Sequence, residues 1–250
     1  MFKEVKSLFS FLTILTPTMD EDCFANAAKA MFLFPLVGAF IGLLAGLFGW
    51  VTSQFLPSLV VGGLVLGFLL LITGLHHTDG LLDFGDGVMA HGSPERKIEI
   101  MHDQLTGAGG LSLGILTFLI TAFSIAELDM GSLIQGLVVA EVSAKLSMVI
   151  GTWAGKKVHQ GMSSPFLEAM HGKRGNARFI TALAISFGIA IPLLWLAGVV
   201  VVLTAIITSL IMVVISHRHF KGVTGDVLGA TNELTRMVSL ITLLAVIAWV

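Results

Sequence analysis

The sequence predicts an all-α protein that crosses a membrane several times, and three observations carry that prediction. Hydrophobic residues make up 55% of the 250-residue chain, and its mean hydropathy is +0.94. Apolar runs of about 18 residues or more recur, the length a helix needs to cross a bilayer. Polar residues gather into a few segments between the runs. The expected architecture is a polytopic helical bundle of about six or seven transmembrane helices, one membrane-embedded domain over residues 1–250. The net charge of −2 gives no ground for a nucleic-acid partner, and the single cysteine, Cys23, excludes an internal disulfide.

Taken in order, residues 1–16 place Lys3 and Lys6 before a short apolar stretch, which reads as an amphipathic helix lying at the interface. A cleaved signal fits less well, because Asp20, Glu21 and Asp22 follow at once. Apolar spans are expected at residues 30–50, 57–75, 108–126, 132–151, 179–196, 198–216 and 234–250. Pro192 and Gly198 divide the run from 179 to 216, which is too long for one span. Gly38, Gly42, Gly46 and Gly49 share one face of the first span, as small residues do where membrane helices pack closely.

The polar segments are 1–29, 76–107, 152–178 and 217–236, and nearly all the cations lie in them: Lys3, Lys6 and Lys29; Arg96 and Lys97; Lys156, Lys157, Lys173, Arg174 and Arg178; Arg218, Lys221 and Arg236. Seven spans put all four segments on one side, and the short opposite turns carry Glu127 and Asp129 but no lysine or arginine. The positive-inside rule then sets the N-terminus and the three long loops in the cytoplasm and the C-terminus outside, in a cell membrane crossed several times. Lys145 is the one cation left inside a span, with Glu141 one turn before it. It reads either as a neutralising pair with Glu141 or as a group reaching an anionic substrate.

The second polar segment, 76–107, is acid-rich. Asp79, Asp83 and Asp86 fall at i, i+4 and i+7, one face of a helix, and Glu95, Glu99 and Asp103 follow a similar spacing. Two rows of carboxylates suit a hard divalent cation, which prefers oxygen ligands. The last polar segment holds Lys-Gly-Val-Thr-Gly-Asp from Lys221 to Asp226, and runs on to Gly229 and Glu233. Its glycines let backbone N–H groups approach a phosphate. The third segment supplies cations, so the parts of phosphoryl transfer are present. Each has a plainer reading: the acids as a solvated face, Arg96 and Lys97 as surface partners of Glu95 and Glu99, His76 and His77 as interfacial residues, and the phenylalanines as packing.

Around these residues the chain resembles the cobalamin synthase family, adenosylcobinamide-GDP ribazoletransferases. The pattern H-x-D-G-L-x-D-x-x-D-G runs from His77 to Gly87, and E-R-x-x-E-I-M-x-D from Glu95 to Asp103, with Gly107 shortly after. F-P-x-x-G runs from Phe34 to Gly38, and T-G-D-x-L-G-A-x-x-E from Thr224 to Glu233. The family's early F-x-T-R-x-P lacks its arginine here, in the stretch Phe11 to Pro17, and Gln104-Leu105 stand where the family has S-R.

The resemblance implies that α-ribazole, or its 5′-phosphate, attacks adenosylcobinamide-GDP, releasing GMP and closing the nucleotide loop of adenosylcobalamin or its 5′-phosphate. It implies Mg²⁺, with Asp79, Asp83, Asp86, Glu99 and Asp103 as ligands and His77 or a carboxylate as proton acceptor. Arg96, Lys145, Lys221, Thr224, Gly225, Asp226 and Glu233 are the candidates for substrate and phosphate contacts. A homo-oligomer or a complex with other corrinoid enzymes is a further partner candidate. Two alternatives stand beside it. A CDP-alcohol phosphotransferase also uses an acidic D-G motif, but here Gly80 is followed by Leu81-Leu82-Asp83. A cation transporter would hold its carboxylates near the bilayer midplane, whereas these lie at one edge.

Overall fold

The computed structural model describes residues 2–16, 21–158 and 163–247. Pro17, Asp20, His159 and the end of the last expected span, 248–250, lie outside the described residues. Among the described residues the chain forms eleven α-helices and no strand. They are α1 (Phe2–Leu12), α2 (Glu21–Lys29), α3 (Phe34–Thr52, preceded by a 3-10 turn), α4 (Ser58–Ile72), α5 (His76–Met89), α6 (Pro94–Met101), α7 (Ala108–Ala126), α8 (Leu133–Ala154), α9 (Ser164–His171), α10 (Gly175–Phe220) and α11 (Gly225–Ile247).

Among the described residues, five helices are long and apolar enough to cross a membrane: α3 with its preceding turn, α7, α8, α10 and α11. The protein is a multi-pass membrane protein. α10 carries two of the expected spans, because its 46 residues break at Trp195, where φ is 50° and ψ is −129°. Pro192 removes a helical N–H just before the break, and Gly198 packs directly on the carbonyl of Ala190, so the chain doubles back.

The expected second span, 57–75, is shorter than the sequence suggests. α4 has 15 residues, about 22 Å of helix against a hydrocarbon core of about 30 Å. The chain then turns through Gly74 and Leu75, both with positive φ, and α5 leaves at 97° to α4. Counted as one broken span, α4 and α5 add one more crossing.

α8 is the hub, buried along nearly its whole length and packed by α3, α10 and α11. The glycine stripe of α3 makes one of these contacts. A Cβ at Gly42 would lie 2.5 Å from the Leu137 carbonyl oxygen, and one at Gly38 equally close to that of Glu141. Glycine here is what allows the two backbones to meet. α1 is amphipathic as expected, with Leu8 and Leu12 buried and Lys3 and Lys6 exposed.

The polar segments are more helical than loop-like. Residues 76–107 form α5 and α6, and only residues 221–224 separate α10 from α11. Arg236 does not join the other cations of the expected polar segments, since it is 0% exposed on α11. Its guanidinium contacts Glu141 of α8 and Glu233 of its own helix. Lys145 completes the cluster, donating to Asn232 Oδ1 at 2.7 Å and to Glu141 Oε2 at 3.5 Å. Two acids balance two bases inside the bundle, the arrangement that burial of charge demands.

Candidate functional site

α5 and α11 cross at two glycines. A Cβ at Gly80 would lie 2.9 Å from the Asp226 Cα, and one at Gly229 would lie 3.2 Å from the His77 Cα. No larger residue fits this approach without displacing backbone. The crossing brings Asp226 to the face of α5 that carries Asp79 and Asp83. Asp83, half-buried, stands among the charges of Asp79, Asp226 and Asp86. Thr224 organises the start of α11, accepting from the Val227 N–H at 3.3 Å and donating to Asp226 Oδ2 at 3.3 Å.

Asp86 stands on the same face with both oxygens engaged. Oδ2 accepts from the Gly107 N–H at 2.7 Å and Oδ1 from the Gly110 N–H at 2.8 Å. These are otherwise unpaired donors at the start of α7, so Asp86 caps that helix from α5. Its charge still acts on Asp83.

The second acidic row is engaged elsewhere. Glu95 meets Lys221 at 2.7 Å, Glu99 meets Arg96 at 2.9 Å, and Asp103 Oδ1 accepts from the Leu105 N–H at 3.2 Å. All five side chains are exposed. The Lys221 ammonium holds Glu95 down at about 2. Lys97 adds a link from α6 to His219 at the end of α10, 2.9 Å long. Among the described residues, no three of His, Cys, Asp or Glu converge tightly enough to enclose an ion. Lys145 and Glu233 sit in the buried cluster, with their charged ends on protein partners.

Beside the crossing lies a cleft of about 170 Å³. His76, His77, Asp79, Gly225 and Asp226 form its polar side, and Phe11, Phe24, Phe34 and Phe166 its apolar side. His77 is 7% exposed and its Nδ1 has no hydrogen-bond partner. None of Lys156, Lys157, Lys173 or Arg174 lines the cleft. Lys157 pairs with Glu168 at 2.6 Å, and Lys173 and Arg174 border a separate depression with Lys29 and Arg178.

Sequence reasoning missed two parts of this site. It assigned Asp226 to phosphate contacts, whereas the structure sets it beside Asp79 and Asp83; the signal was the glycine three residues after Asp226 and the one directly after Asp79. It read the phenylalanines as packing alone, and nothing in their spacing shows that α1, α2, α3 and α9 bring four of them to one cleft.

The fold and the site define a class: a helical membrane protein whose acidic site is built where a polar helix crosses a spanning helix on glycine. The model of one family, cobalamin-5-phosphate synthase, matches residues 4–244. The chain belongs to that family. Relatives named adenosylcobinamide-GDP ribazoletransferase include one from Methanococcoides burtonii, 33% identical over 96% of this chain and 90% of its own length. Another, from Methanocella arvoryzae, is 36% identical over 94% and 93%. A third, from Thermococcus kodakarensis, is 31% identical over 98% and 99%. No solved structure matches the chain.

Proposed function

We propose that this chain joins adenosylcobinamide-GDP to α-ribazole, or to its 5′-phosphate, giving adenosylcobalamin or its 5′-phosphate and GMP. The observation that carries this reading is the glycine crossing of α5 and α11. It brings Asp79 and Asp226 to one cleft, with Asp83 one turn along α5 from Asp79, in a chain that the family matches almost end to end. The ribose hydroxyl oxygen bonds to the phosphorus next to the cobinamide. The bond from that phosphorus to the bridging oxygen breaks, and GMP leaves with that oxygen. The hydroxyl proton passes to a group on the polar side of the cleft, His77 or a carboxylate.

Asp79 and Asp226, the carboxylates that line the cleft, would supply oxygen ligands to a Mg²⁺ ion, with Asp83 adding negative charge nearby. Carboxylates crowded together at a helix crossing repel one another, a cost that a divalent cation would relieve. Mg²⁺ commonly takes only one or two carboxylates, with water and substrate phosphates filling the rest, so no protein cage is required. When bound, the ion neutralises charge on the diphosphate and the departing GMP. The first residues of α11, Gly225 and Asp226, line the same cleft, and the start of a helix favours a phosphate. Asp86 positions α7 against α5, and the phenyl side of the cleft keeps water from the reacting groups.

The distribution of Lys and Arg supports a cytoplasmic face for the site, in the cell membrane. The test is release of GMP by the purified chain in lipid vesicles. Release is expected with both substrates and Mg²⁺, and not when either substrate is omitted. Release at the full rate without α-ribazole would mean hydrolysis and would contradict the transfer.

A further inference from the structure

The apolar side of the cleft has work left to explain. Phe11, Phe24 and Phe34 come from the first three helices and Phe166 from the distant α9, and their rings meet: Phe11 and Phe166 at 4.8 Å between centroids, Phe11 and Phe24 at 5.8 Å, Phe34 and Phe166 at 6.0 Å. Phe34 and Phe166 are buried, at 0% and 2% exposed, and Phe11 and Phe24 are half-buried. The rings border the space without filling it.

The size of that space is informative. Pockets for whole ligands run to about 300–1,000 Å³, so 170 Å³ is too small for either substrate. An apolar cavity of about 150 Å³ accepts a benzene ring. The cleft therefore has room for one flat ring system, with the rest of a substrate outside it. The same cleft is lined by the phenyl rings, by His77, whose Nδ1 is unpartnered, and by Asp79 and Asp226.

We propose that the phenyl wall seats the heteroaromatic base of the attacking nucleoside, so that its ribose hydroxyl falls beside His77 and Asp79. This rests on the reaction proposed above. Aromatic side chains bind such a ring by stacked and edge-on contacts. The other base in the reaction is the guanine of the GDP group. Guanine carries an amine and a carbonyl on its edge, which a hydrocarbon wall leaves unpaired, and buried unpaired polar groups are strongly rejected. A base with no polar groups beyond its ring nitrogens suits the lining better.

Binding to the full-length protein in lipid nanodiscs, followed by calorimetry without turnover, tests this. The probes are benzimidazole, which has neither sugar nor phosphate, and GMP. The expected result is saturable benzimidazole binding to the wild type and to Phe24→Tyr, weakened at least tenfold in Phe24→Leu, with GMP affinity unchanged. The KM for α-ribazole should rise by a similar factor in Phe24→Leu, and that for adenosylcobinamide-GDP should stay. Phe11→Leu serves in its place if Phe24→Leu fails to accumulate. Unchanged benzimidazole binding in the leucine variant, a loss of GMP binding instead, or no saturable benzimidazole binding to the wild type would overturn the proposal. Wild-type protein that binds benzimidazole but releases no GMP would sink the reaction and leave the base seat standing. Intact turnover with no effect of Phe24→Leu would do the reverse.

Discussion

Gly80 of α5 lies so close to Asp226 of α11 that a Cβ at position 80 would fall 2.9 Å from both the Cα and the carbonyl oxygen of Asp226. The atoms in the way are backbone, which cannot swing aside as a side chain does. Gly80→Ala should therefore push the two helices apart and separate Asp226 from Asp79 and Asp83. The expected outcome is at least a tenfold fall in kcat with normal amounts of protein in the membrane. Turnover at the wild-type rate would show that the crossing is looser than described.

The buried charges predict a structural effect. Glu141, Lys145, Glu233 and Arg236 form a closed set, all at most 2% exposed. Removing one member leaves an uncompensated charge, which in buried pairs costs about 3–5 kcal/mol. Lys145→Met should lower the thermal midpoint, and Glu141→Gln with Lys145→Met should restore much of it. The KM for adenosylcobinamide-GDP should not move. A raised KM at an unchanged midpoint would return Lys145 to the substrate.

Asp86 and Asp83 share a face but should behave differently. Asp86 caps α7 through Gly107 and Gly110, and losing a helix cap costs about 1 kcal/mol. Asp86→Ala is expected to lower thermal stability by that order, and Asp83→Ala to leave stability at or above wild type, since it relieves carboxylate crowding. Thermal unfolding in detergent reads both. Equal destabilisation by the two would contradict the separate roles.

Topology is tested by labelling. Single cysteines from Ser93→Cys, Gly172→Cys and Lys221→Cys, in a Cys23→Ser background, should all react from the cytoplasmic side, and Met130→Cys only from the other. Ser93, Gly172, Lys221 and Met130 are exposed. Their neighbours Gly92 and Gly222 are poor positions, the first for its φ of 120° and the second because a Cβ there strikes the Lys156 carbonyl. Labelling of Gly172→Cys from the outside would break the count of crossings.

Much of this was legible in the residues. Hydropathy located the long spans, and Pro192 with Gly198 bracketed the true break at Trp195. The spacing of Gly38, Gly42 and Gly46 gave the α3 face that meets α8, and Asp79, Asp83 and Asp86 gave the acidic face of α5. What stayed hidden was pairing at long range. The partners of Asp86 lie 21 and 24 residues away, and Arg236 meets Glu141 across 95. α5 looked like a loop because its polar content masks a helix that turns inward at Gly74 and Leu75. The rows of acids looked equivalent until the structure gave Glu95 and Glu99 to cations on the surface.

The account turns on the carboxylates at the α5–α11 crossing, and the most direct measurement is the Mg²⁺ dependence of GMP release in wild type, Asp83→Asn and Asp226→Asn. Each variant would remove one carboxylate charge from the proposed Mg²⁺ site, so a loss of about 10²-fold or more in kcat is expected. The Mg²⁺ concentration for half-maximal rate should rise in both, and chelation should stop the wild type. Wild-type turnover by Asp226→Asn at saturating Mg²⁺ would contradict the claim that the two helices build one site.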